Sequence, residues 1–231
     1  MPSGELKDHE VFARNDTARF KFPGGIIPMP STAKLDLYKV HKAEYVTPKK
    51  PVLIQTKSAK YLAFTGRGAP AGEAFQKAVG ALYNVAYTLK MAKKFAGKDY
   101  KVSNLEGLWW GENEAENFAA QPPDTWNWKL IIRVPDFITA KDLKDTVAAL
   151  KEKGKPPETS DVKLETLDEG QCVQMLHVGP YGNEGETISQ MLALAAEKGL
   201  SCHGLHHEIY LSDPRRVPPE RLRTILRLPV A

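Results

Sequence analysis

Near its C-terminus the chain reads His203-Gly204-Leu205-His206-His207-Glu208-Ile209-Tyr210. An extended strand sends successive side chains to opposite faces. His206, Glu208 and Tyr210 therefore share one face, and His207, Ile209 and Leu211 the other. An imidazole, a carboxylate and a phenol on one half-enclosed face are the groups of acid–base chemistry. Glu208 would draw a proton from water, or serve as counterion to a cationic aromatic ligand. Burial would raise its pKa unless a cation or donor meets it. The adjacent histidines invite a metal, but they point apart and cannot share one ion, so no metal is expected.

Two further strings belong with the first. Leu105-Glu106-Gly107-Leu108-Trp109-Trp110 puts a carboxylate among aromatics, and all four tryptophans fall between Trp109 and Trp128. Gly107 would leave a flat place for a planar ligand. Here too the faces alternate, with Glu106, Leu108 and Trp110 on one and Gly107 and Trp109 on the other. His177-Val178-Gly179-Pro180-Tyr181-Gly182-Asn183-Glu184 ends a strand and aims Tyr181 at the next helix. Glu184 and Glu186 complement that helix's dipole. The expected catalytic set is Glu208 as base, with Tyr181 or His177 as donor. Trp109, Trp110, Glu106, Tyr83, Tyr87, His206 and Tyr210 would bind the ligand. No Gly-x-Ser-x-Gly elbow, phosphate loop or paired Cys-x-x-Cys occurs, and no cofactor is expected.

The elements that must hold these residues repeat. Ile131-Ile132-Arg133-Val134-Pro135 returns as Ile225-Leu226-Arg227-Leu228-Pro229. In copy one, about 50–135, strands are predicted at Val52–Thr56, Tyr61–Phe64, Leu105–Trp110 and Trp126–Val134. A helix at Glu73–Lys93 carries an apolar stripe from Phe75 to Leu89, with Tyr83 and Tyr87 on its flank. A linking helix, about 139–154, is capped by Thr139 and Asp142. Copy two, about 160–230, repeats the pattern with strands at Val162–Leu167, Cys172–Val178, Leu205–Leu211 and Leu222–Leu228. Its helix, Glu186–Lys198, turns Ile188, Met191, Leu192 and Ala195 inward. Matched glycine loops lie 113 residues apart and matched last strands 94, so copy one holds 19 more residues (113 minus 94) between them. Phe95–Lys101 and Asn113–Pro123 are candidate rims. Arg133 and Arg227 are assigned to the solvated faces of their strands, and Cys172 and Cys202 to the interior. Residues 1–34 read as an irregular extension.

The chain has 231 residues and net charge +4, with basic and acidic residues interspersed. No nucleic-acid stripe, signal peptide or membrane-spanning run is seen, and two cysteines suit a reducing compartment. A cytoplasmic monomer or homodimer is expected, without nucleic-acid or membrane partners.

These strings, with Glu169-Gly170-Gln171-Cys172-Val173-Gln174 and Gly204-x-His206-His207-Glu208-Ile209-Tyr210-Leu211-Ser212-Asp213-Pro214, resemble the GyrI-like small-molecule-binding proteins over about 35–231. The resemblance implies an α+β fold of two tandem strand-helix-strand-strand (SHS2) modules. Their antiparallel sheets would be related by a pseudo-twofold axis, with a groove between them. That groove would take hydrophobic, planar or cationic compounds. The stand-alone subfamily includes hydrolases of cyclopropane-bearing alkylators, in which a glutamate helps water open the ring. Glu208 and Glu106 are the matching candidates. Two alternatives stay open: a binder or sensor without chemistry, and a protein-interaction module such as a gyrase modulator.

Overall fold

A computed structural model describes residues 34–112 and 118–231; residues 1–33 and part of the proposed 113–123 rim lie outside the described residues. The chain opens with a short helix α1 (Leu37–Val40) and a 3-10 turn at Lys42–Tyr45. Copy one follows as β1 (Val52–Gln55), β2 (Ala59–Arg67), α2 (Glu73–Phe95), β3 (Leu105–Trp110) and β4 (Asn127–Arg133). α3 (Ala140–Glu152) links it to β5 (Lys163–Leu167), β6 (Gln171–Val178), α4 (Gly185–Glu197), β7 (His206–Tyr210) and β8 (Arg223–Pro229). The capping box at α3 forms as its sequence requires, with Thr139 accepting from Asp142 N and Asp142 accepting from Thr139 N. Much of the extra length of copy one lies in α2, which has 23 residues against 13 in α4.

The eight strands form one antiparallel sheet in the order β1-β6-β8-β7-β3-β4-β2-β5. Exchanging each strand for its counterpart in the other copy reverses this order and leaves it otherwise unchanged. Two features were not expected. The first strand of each copy pairs with the other copy, β1 on β6 and β5 on β2. The copies also join edge to edge through β3 and β7, so the sheets of the two modules run on as one.

α2 packs on β2 and β4, and α4 packs on β6. Leu62, Trp128, Leu130 and Ile132 meet the buried stripe of α2 from Ala78 to Leu89. Val173, Met175 and Leu226 meet Met191 and Ala195 of α4. Leu192, expected inside, faces outward. The central pair β3–β7 lies between the strands on which the two helices pack.

The opposite face of the sheet is covered at its centre by the Leu37–Tyr45 segment. Tyr45, stacked on Tyr38 at 3.8 Å, packs on Ile209 and Ile225. This segment gave no periodic signal, and its covering role is a finding of the structure.

Candidate ligand-binding and catalytic site

β7 distributes its side chains as its alternation demands. His206, Glu208 and Tyr210 rise into the cleft, and His207 and Ile209 point to the opposite face. Each of His206 and Glu208 is less than a tenth exposed. A third group joins them. Glu184, at the start of α4, turns its carboxylate inward and is 6% exposed. Nε2 of His206 lies 3.4 Å from Glu208 Oε1 and 3.7 Å from Glu184 Oε2. The sequence reading left Glu184 as a helix-dipole complement. The signal that could have found it is its place three residues after Tyr181, one turn on in the same loop.

The electrostatics follow from this enclosure. Burial, reinforced by the negative charge of Glu208, raises the Glu184 pKa to about 7. Burial alone would lower that of His206, but the two carboxylates outweigh it and hold the imidazole protonated, up to about 9. Burial and the same two carboxylates push the Tyr181 phenol to about 12. One imidazolium between two carboxylates leaves the cluster with an excess of negative charge once Glu184 ionises.

Tyr210 stands beside Glu208 and accepts a hydrogen bond from Trp109 Nε1 at 3.1 Å. Tyr181, 37% exposed, meets Tyr210 edge-on at 5.8 Å. Tyr83 and Tyr87 on α2 stack at 6.0 Å, Tyr87 outward and Tyr83 half-buried. Asp213, after β7, acts electrostatically on both Tyr83 and Tyr181. Tyr181 and Tyr210 are the aromatic side chains beside the cluster.

Four expected site residues take other roles. Trp109 is on the cleft side but buried at 4%, stacked on Phe75 at 5.7 Å and edge-on to Trp126, so it supports the floor. Trp110 points to the opposite face, paired with Asn127 at the end of β3, and cannot wall the cleft. Glu106 is fully buried on that opposite face. His177, proposed as a donor, has both ring nitrogens engaged, one with Thr187 Oγ1 at 3.0 Å and one with the Pro180 carbonyl at 3.1 Å. The carbonyl can only accept, so Nε2 carries the proton and Nδ1 accepts from the hydroxyl. His177 therefore ties the Tyr181 turn to α4.

Gly107 does not offer a flat ligand platform. A Cβ there would lie 2.8 Å from both Trp109 Nε1 and Tyr210 Oη, so glycine makes room for their hydrogen bond. Gly107→Ala is expected to lose about 1–3 kcal/mol of stability by overpacking. Equilibrium urea unfolding checks this. Adding Tyr210→Phe, which removes one of the clashing atoms, should recover part of the loss.

Glu106 belongs to a second cluster, behind the sheet. His207 Nε2 is 3.0 Å from Glu106 and Nδ1 2.9 Å from Glu169. Arg227 reaches Glu169, Gln174 and the Glu44 carbonyl at 2.9, 2.9 and 2.6 Å. Arg133 reaches the Glu44 carboxylate at 2.7 Å and Tyr45 at 3.0 Å, and Tyr45 donates to Glu106. The arginines assigned to solvent are 3% and 1% exposed. Both guanidinium groups also lie within 6 Å of the Tyr45 ring centre, at 5.6 and 5.9 Å. Three carboxylates, Glu44, Glu106 and Glu169, face three cations, Arg133, His207 and Arg227. The balance holds only with His207 protonated, and both its nitrogens facing carboxylates require that form. Of the cysteines, Cys172 is buried as expected and Cys202 is exposed.

A recess of about 330 Å³ beside β2 and β5, lined by Phe64, Ser160, Asp161 and Lys163, contains none of the expected site residues. No helix among the described residues is long and apolar enough to cross a membrane.

Residues 49–231 match the family model described as a GyrI-like small molecule binding domain. An uncharacterized conserved protein from Listeria innocua is 41% identical, with a TM-score of 0.80, over 86% of this chain and all of that one. A hydrolase from the same organism is 40% identical over the same shares, with a TM-score of 0.77. The C-terminal domain of EcmrR shares the fold at 9% identity, with a TM-score of 0.53 over 79% of this chain and 97% of that one. No curated protein matches the chain.

Proposed function

The chain belongs to the GyrI-like small-molecule-binding family, and from that premise we propose that its cleft takes hydrophobic planar or cationic compounds and hydrolyses strained electrophilic rings among them. The observation that carries this reading is the enclosed Glu184–His206–Glu208 cluster beside Tyr181 and Tyr210. Its excess negative charge suits a cation, and its position out of water strengthens that attraction. The aromatic rim suits a flat apolar body. Likeness to a Listeria innocua hydrolase at 40% identity supports the catalytic part.

For a cyclopropane conjugated to a carbonyl, the chemistry fits these groups. Glu208 takes a proton from water, and the oxygen bonds to the ring carbon. The strained C–C bond breaks, and its electron pair moves through the conjugated system to the carbonyl oxygen. Tyr181, at the mouth, donates a proton there, and Glu208 returns its own to the tyrosinate. The net change is addition of one water. In this reading Glu208 acts as the base, Glu184 adds a second carboxylate, and His177 takes no part.

Two measurements test the reading. A lipophilic aromatic cation should quench tyrosine and tryptophan fluorescence at one equivalent, and Glu208→Gln should weaken it by about tenfold or more, the scale of one lost charge-assisted contact. Incubation with a cyclopropane-bearing electrophile, followed by chromatography, should yield a ring-opened hydrate. Dye binding without the hydrate would leave a sequestering protein and remove the hydrolase.

A further inference from the structure

The two buried histidines of β7 differ in a way that points to a second use of the cleft cluster. His207 meets its carboxylates at 2.9 and 3.0 Å, the separation of charge-assisted hydrogen bonds. His206 stands off from its own at 3.4 and 3.7 Å. Four ligands at about 2.0–2.1 Å around a tetrahedral ion are separated by about 3.3–3.4 Å. The 3.4 Å separation of His206 from Glu208 matches the edge of such a tetrahedron, and its 3.7 Å separation from Glu184 exceeds it by a few tenths of an ångström. One ligand atom each from Glu184, His206 and Glu208 lies within 4.8 Å of the other two, and all three residues are buried. Glu184 Oε1 is a buried oxygen without a hydrogen-bond partner. A carboxylate in that state is left waiting for a cation or donor.

We propose that Glu184, His206 and Glu208 form a three-ligand site for one divalent transition-metal ion of the zinc class. One imidazole and two carboxylates are a donor set that such ions accept, and three protein ligands leave a fourth position open to the cleft. Tyr210, beside Glu208 and held by Trp109, supplies the outer support that fixes a ligand's orientation. The bound ion neutralises the carboxylates that a cationic compound would use, so metal and cation exclude one another. The sequence argument against a metal concerned His206 with His207. It stands for that pair and does not touch this one, which draws its third ligand from α4.

The test is calorimetric titration of chelator-treated protein with Zn2+, with visible absorption of the Co2+ complex as a geometric readout. One equivalent should bind, with a tetrahedral Co2+ spectrum. Glu184→Gln and Glu208→Gln should each lower affinity at least tenfold and abolish that spectrum, with unchanged far-UV circular dichroism. If Glu208→Gln fails to fold, Glu184→Gln at the helix start decides alone. Absence of a one-to-one event in the wild type would overturn the proposal. So would equal binding in the Glu184→Gln protein, which would put the ion on exposed groups such as Cys202. Dye binding is scored separately: a protein that takes the dye but no Zn2+ refutes the metal site and leaves the ligand reading standing.

Discussion

Arg227→Met should destabilise the protein by roughly 3–5 kcal/mol, as removal of one partner from a buried ion cluster does. The volume is nearly kept, so the loss is electrostatic. Glu169 loses its guanidinium, Gln174 Oε1 and the Glu44 carbonyl lose donors, and three carboxylates are left with two cations. Equilibrium unfolding in urea measures the change, and a loss below about 1 kcal/mol would mean that the cluster is not a unit. Its pH dependence has a definite sign. The carboxylates raise His207 above its ordinary 6.5 against the opposing effect of burial, so its contribution is full below 6.5 and fades as pH rises through the folded value. His207 and Arg227 outweigh the opposing effect of burial on Glu169 and lower it to about 2 from 4.5, so its contribution is full above 4.5 and is lost as pH falls towards 2. His206, raised to about 9, adds the same trend between 6.5 and 9, and Glu184, raised to about 7, adds a loss that already begins above its ordinary 4.5. Melting temperature should therefore be highest near pH 4.5, fall below it as Glu169 protonates, and fall above it towards pH 9. Arg227→Met should flatten the acid limb, because Glu169 then loses one of the two cations that lower it.

The same arginine shows where sequence reasoning stops. Strand alternation correctly separated Glu208 from His207 and Trp109 from Trp110, because a period of two is local. It then assigned Arg133 and Arg227 to solvent, as a charge opposite an apolar face usually is. What reverses this is a segment some ninety residues before Arg133 in the chain. Glu44 and Tyr45 cover that face, and nothing in their spacing announces it. A weaker signal was present. The two arginines occupy matched places in the echoed pentapeptides, and both face the one Tyr45 ring. The exchange of β1 and β5 between copies was hidden for a related reason, since each short strand would pair as well within its own copy. Glu184 was misread because a glutamate at a helix start is satisfied by the dipole alone, and its turn inward depends on where β7 lies.

Glu208→Gln should lower the rate of ring opening by about 10²–10⁴-fold, the worth of a positioned base, while a neutral planar ligand still binds. The amide keeps the shape and removes both the basicity and the charge. Those two losses separate by ligand: cations should bind more weakly, and uncharged analogues should not. Glu184→Gln should behave differently, because burial and Glu208 already keep Glu184 near half protonation at neutral pH. Below pH 6 the variant resembles the protonated wild type, and cation affinities should coincide. Above pH 8 the wild-type carboxylate is ionised while His206 is still mostly charged, so affinity should rise with pH through about 7 in the wild type alone. The measurement is a pH series of cation binding on chelator-treated protein, with ring-opening rates taken in parallel. Identical pH curves for wild type and Glu184→Gln would remove Glu184 from the site. A full rate in Glu208→Gln would transfer the base to Glu184, the other carboxylate that shares the His206 imidazole.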